Sequence, residues 1–118
     1  MKRALDWLTG AEDSTPPQAI SDLNLSVLNG MDVSLTWSVP WDDTGVDHYD
    51  IHRASESYFT PDPDNLIHVG DAAGWTDYGA AGNPDYNPTY IVIAVDAAEN
   101  ESAPSNRVGV FHGDADIP

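Results

Sequence analysis

Thr89-Tyr90-Ile91-Val92-Ile93-Ala94-Val95-Asp96 places six apolar or aromatic residues in a row, rich in β-branched side chains. The run is too short for a buried helix and reads as a strand. A strand turns alternate side chains to opposite faces, so Tyr90, Val92 and Ala94 share one face and Ile91, Ile93 and Val95 the other. The preceding stretch, Gly79 to Pro88, holds Gly82, Pro84 and Pro88 and is a turn-rich connection.

Working outward, the same grammar recurs between turn clusters. Met31 to Val39 alternates, with Val33, Leu35 and Trp37 on one face and Asp32, Ser34, Thr36 and Ser38 on the other, the pattern of a half-buried strand. Before it, Ala19 to Leu28 is anchored by Ile20, Leu23, Leu25 and Val27, and Asn29-Gly30 is a hairpin signal. Pro40 to Gly45 is a loop. Asp47 to Ala54 is a third strand, with Tyr49 and Ile51 inward and His48, Asp50 and His52 outward. Residues 55–65, with Pro61 and Pro63, cross to a short strand around Leu66 to Val69. Trp75 to Tyr78 forms an edge pairing, and a last strand runs from Ser105 to Phe111. Seven strands at this spacing predict an all-β sandwich.

The chain has 118 residues, enough for one domain. Hydrophobic residues make up 41%, which supports a packed core. Twenty acidic residues face four basic ones, a formal charge of −16, and sixteen of the acids are Asp, a turn and cap former. Such a surface repels phosphate backbones and anionic headgroups, so nucleic acid and membrane insertion are excluded as partners. It attracts cations, which leaves calcium binding, salt adaptation and plain solubility open. There is no cysteine. Lys2 and Arg3 open the chain, but Asp6 and Glu12 interrupt any signal-peptide core; an exported protein would then be seen here as a mature chain or an excised domain.

Residues 1–17 read as an arm and boundary, residues 18–111 as the sandwich, and residues 112–118 as a tail. Ala4, Leu5, Trp7 and Leu8 form one apolar face of a short helix, stopped by Gly10 and Ser14-Thr15-Pro16-Pro17. A helix this short is marginal alone, so the arm either stays unfolded or docks on something.

From Thr15 to Phe111 these residues resemble the fibronectin type III domain, an immunoglobulin-like sandwich. The resemblance is carried by the Thr15-Pro16-Pro17 lead-in, by Val33-Ser34-Leu35-Thr36-Trp37 and by Tyr49-Asp50-Ile51-His52-Arg53. Its most specific part is Tyr90 through Ser102, which looks like the sixth strand and following turn of bacterial and archaeal members. It implies two facing antiparallel sheets with a core of Leu35, Trp37, Tyr49, Ile51, Tyr90 and Val92. It also implies a tyrosine corner in which Tyr90 hydrogen-bonds back to the preceding loop. The Arg-Gly-Asp of integrin-binding members is absent; Ala97 to Pro104 stands in that place.

Candidate sites are few. His48, Asp50 and His52 share an outward face, but the two histidines lie about 13 Å apart along an extended strand, too far to chelate one ion together. Asp42, Asp43 and Asp47, around Thr44-Gly45, offer oxygens to Ca2+, without the ligand spacing of an EF-hand. His112-Gly113-Asp114-Ala115-Asp116 resembles the opening of a dockerin calcium loop and ends before the remaining ligands. Asn24-Leu25-Ser26 and Asn100-Glu101-Ser102 match the N-glycosylation acceptor, with Asn100 placed in an exposed turn and so the better site. No nucleophile, phosphate-loop or metalloprotease signature occurs, and the reading is a non-enzyme with no cofactor other than Ca2+.

Ile91, Ile93 and Val95 are apolar where a solvated sandwich is polar, and Leu5, Trp7 and Leu8 lie outside the fold. Either the arm or a long loop covers that face, or arm and face meet between copies and build a filament. The main expectation is a non-catalytic extracellular or cell-surface structural module whose partners are other modules or copies of itself. The alternative is a spacer or substrate-binding accessory domain of a secreted multi-module enzyme or adhesin. A third reading has Trp41 and Trp75 stacking on carbohydrate.

Overall fold

The computed structural model describes residues 15–110. Leu5, Trp7, Leu8, Phe111 and the tail at 112–118 lie outside them. Seven strands occur among the described residues: β1 Asn24–Leu28, β2 Asp32–Thr36, β3 Val46–Ala54, β4 Leu66–Gly70, β5 Gly74–Asp77, β6 Thr89–Asp96 and β7 Val108–Gly109. They form two antiparallel sheets, ordered β1-β2-β5 and β4-β3-β6-β7.

Asn29 and Gly30, at φ 58° and 70°, make the β1–β2 turn, a left-handed pair that these two residue types tolerate. β2 then sends Val33, Leu35 and Trp37 into the space between the sheets at 0, 0 and 7% exposure. They meet Tyr49, Ile51, Tyr90, Val92 and Ala94 from the opposite sheet, and the Trp37 and Tyr49 rings pack edge-on at 5.1 Å and 71°.

The two outermost runs contain less strand than the alternation predicts, because side chains replace backbone partners. In the segment 19–23, Ile20 and Leu23 are buried, yet the Leu23 N–H donates to Asn106 Oδ1, the Asn106 amide donates back to the Leu23 carbonyl, and Ser38 N–H donates to Asp22. At the other end, Ser102 and Ser105 run beside β6: their N–H groups donate to Ala94 and Val92 carbonyls while their hydroxyls accept from the Ala94 and Val92 N–H groups. Pro104, between them, has no N–H to continue a ladder.

All eight residues of β6 are buried. Its outer face, Ile91, Ile93 and Val95, is 0, 8 and 1% exposed. The loop 55–65 is held over it: Phe59 is buried, and Arg107 Nη1 donates to the Ser57 and Phe59 carbonyls at 3.1 and 2.7 Å. The 3-10 turn Pro63–Asn65 is capped by Asp62 and tied to β3 through His52 Nδ1 and Asn65 Oδ1 at 2.7 Å. His52, placed outward by the alternation, is therefore buried under this loop.

Candidate functional site

The β2–β3 loop does not gather its carboxylates. Asp42 Oδ2 accepts from the Thr44 N–H and hydroxyl at 3.1 and 2.9 Å, the hydrogen bonding of a local turn. Asp42 Oδ1 is turned inward and finds no partner. Asp43 is exposed. Asp47 is the extra residue where the β3–β6 register skips from Val46 to His48, and it contacts His48 Nδ1 at 2.9 Å. His48 Nε2 approaches Asp50 at 3.6 Å. Among the described residues no group of three His, Asp or Glu side chains is close enough to hold a metal ion.

The two glycosylation candidates exchange rank. Asn100 is half-buried and its amide donates to Asp96 Oδ2 at 3.0 Å, so the turn consumes the group that would carry a glycan. Asn24 is exposed at the start of β1. The two tryptophans of the carbohydrate reading also separate. Trp41 is 61% exposed, whereas Trp75 is half-buried, packs on the core and has one face stacked on His68 at 4.5 Å. They line different hollows, Trp75 with Tyr49 and His68, Trp41 with Gln18 and Val39.

Ile91, Ile93 and Val95 are the clearest correction. The three side chains are buried within the chain's own fold, with Pro61, Asp62 and Pro63 beside Ile93, so the filament reading loses the exposed face on which it rested.

The grouping that sequence reasoning missed is a polar clamp between the sheets. Asp77, at the end of β5, accepts from Arg53 Nη1 at 2.6 Å and from the Tyr90 hydroxyl at 2.7 Å, both from the facing sheet. The resemblance pointed Tyr90 at the preceding loop; its hydroxyl instead crosses to a carboxylate. The Arg53 guanidinium also lies 5.8 Å from the Tyr86 ring centre. Burial, then the hydrogen bond and charge of Asp77, push the Tyr90 phenol well above its ordinary range. The available signal was scarcity: Arg53 is one of only two basic residues in 15–110, and it closes an inward-facing strand.

The exposed large apolar side chains gather partly at the two poles where the chain enters and leaves. Val39 and Trp41, beyond the end of β2, stand where the chain enters, because the Gln18 N–H donates to the Trp41 carbonyl at 3.0 Å. Met31, Tyr58 and Tyr78 lie toward the opposite pole, where β7 pairs with the start of β6. Among the described residues no helix is long and apolar enough to cross a membrane.

No protein-family model matches the sequence. Over 108 residues, 92% of the chain, it is 31% identical to exoglucanase B of Cellulomonas fimi, of which it spans 9%. The fold superposes on chitinase ChiA74 from Bacillus thuringiensis with a TM-score of 0.64 and 25% identity, covering 85% of this chain and 14% of that one. It superposes on the sixth fibronectin type III domain of human fibronectin type III domain containing protein 3 with a TM-score of 0.66 and 15% identity, covering 87% and 92%. Two facing antiparallel sheets of three and four strands, closed on a core of Trp37, Tyr49 and Tyr90, give this chain the fold of the fibronectin type III domain.

Proposed function

We propose that the chain is a non-catalytic accessory module of a secreted, multi-module, polysaccharide-degrading protein, acting as a spacer between working domains. The observation that carries this reading is one of proportion. Nearly the whole chain matches exoglucanase B, yet it accounts for 9% of that protein, and the same holds for 14% of chitinase ChiA74. A module of this kind is extracellular and contributes placement, not chemistry. The described surface supports a spacer over a substrate-binding domain, because its two candidate tryptophans do not share a face and Trp75 is already stacked.

Light scattering on the purified chain, with and without millimolar calcium, and retention on microcrystalline cellulose and on chitin test it together. A 12.7 kDa monomer that both polysaccharides let pass is expected. Retention would convert the spacer into a substrate-binding domain. Polymers would overturn both and restore a structural subunit.

A further inference from the structure

Val39 and Trp41 are 65 and 61% exposed, side by side on the loop that follows β2. With Gln18, Ile20, Asp22 and Pro40 they line a hollow of about 250 Å3. Val39, Pro40 and Trp41 give the recess one apolar edge, exposed to water, while Gln18, Ser21, Asp22 and Ser38 add polar groups to its lining. Acidic groups stand close by: Asp22 lines the hollow and is exposed, and Asp42 and Asp43, half-exposed and exposed, follow Trp41 directly in the chain. The chain itself leads there, since the Gln18 N–H is fixed to the Trp41 carbonyl and the fourteen residues before Thr15 begin four positions upstream.

We propose that the segment Lys2–Leu8 of this same chain docks in the hollow beside Trp41, with Leu5, Trp7 and Leu8 against Val39 and Trp41 and with Lys2 and Arg3 facing Asp22, Asp42 and Asp43. Two independent complementarities support the pairing. The segment carries apolar residues at 4, 5, 7 and 8, one side of a helical turn, and it holds two of the four basic residues of a chain whose charge is −16. Reach is ample: the ten residues from Leu8 to Gln18 span up to about 33 Å when extended, and Gly10 allows the reversal. So short a tether gives an effective concentration on the order of millimolar, so a contact too weak to hold two separate molecules still closes within one. The arm thus keeps its docking role and changes its receptor, from the buried face of β6 to the entry pole.

The test uses the full chain labelled with 15N and 13C. Expected are contacts between the Trp41 ring and Leu5 or Leu8 methyl groups in nuclear Overhauser spectra, independent of protein concentration. A variant with Leu5→Ser, Trp7→Ser and Leu8→Ser, all outside the sandwich, loses them and shifts the Trp41 indole and Val39 resonances. Lys2→Glu with Arg3→Glu weakens them, as does raised salt. Trp41 and Val39 resonances that do not move in the triple variant overturn the proposal. So do contacts that appear only on concentration, with a doubled mass, because the occupant is then a second copy.

Discussion

The β2–β3 loop and the turn after β6 are both built around an aspartate, and they use it differently. Asp42 collects two donors from a single neighbour, Thr44, and leaves one oxygen without a partner. Asp96 is fully buried and accepts from the Ala98 and Asn100 N–H groups and the Asn100 amide, at 3.0, 2.9 and 3.0 Å, in a turn tight enough to hold Glu99 at φ 70°. Asp77 extends the second pattern, carrying Arg53 and Tyr90 between the sheets. In a chain with sixteen aspartates, residue type says little about role. The number of fixed donors separates a carboxylate that specifies structure from one that merely solvates a loop.

That contrast can be broken most easily at Asp77. Asp77→Ala leaves a half-buried guanidinium and a buried phenol without their acceptor and should cost about 3 kcal/mol in urea unfolding. A loss comparable to a surface substitution would show that the clamp is ornamental. Asp96→Ala should cost about 2 kcal/mol and speed hydrogen exchange at the Ala98 and Asn100 amides, which would otherwise stay protected. Tyr90→Phe should cost about 1 kcal/mol at neutral pH. Because the folded phenol is held above its ordinary value of 10.0, the unfolded chain ionises first. The stability that Tyr90 contributes is therefore complete below about pH 10 and shrinks as the pH rises beyond it, so the gap between wild type and Tyr90→Phe narrows in alkali. At the small end, Asp42→Ala should cost about 0.5 kcal/mol, and millimolar calcium should leave the melting temperature where it was. A calcium-dependent rise in Tm that Asp43→Asn removes would move this loop out of the solvating class.

Strand positions were legible because period-2 alternation is local. Val33, Leu35 and Trp37 announce their face without help from any other segment, and the same logic placed Tyr49 and Ile51. What resists reading is whatever depends on a distant segment. An apolar β6 with two hydrophobic faces says that both are covered, but the cover is a loop of low hydrophobicity whose position is fixed by Arg107, 48 residues from the carbonyl of Phe59 that it grips. Asn100 reads as an exposed acceptor until Asp96 is seen to claim its amide. The ends of the outer strands were overextended because serine hydroxyls and the Asn106 amide imitate backbone partners, which alternation cannot register.

The opposed entry and exit have a mechanical meaning. Tension applied through the two ends of the domain runs along its strands: β1 is drawn past β2, and the stretch from Ser102 to Val110 is drawn lengthwise along β6. Its bonds to Ala94, Val92, Thr89 and Pro88 are then loaded together in shear and cannot be peeled one at a time. The serine staples extend a two-residue strand into a long bearing line, so the domain resists pulling further than its secondary structure suggests.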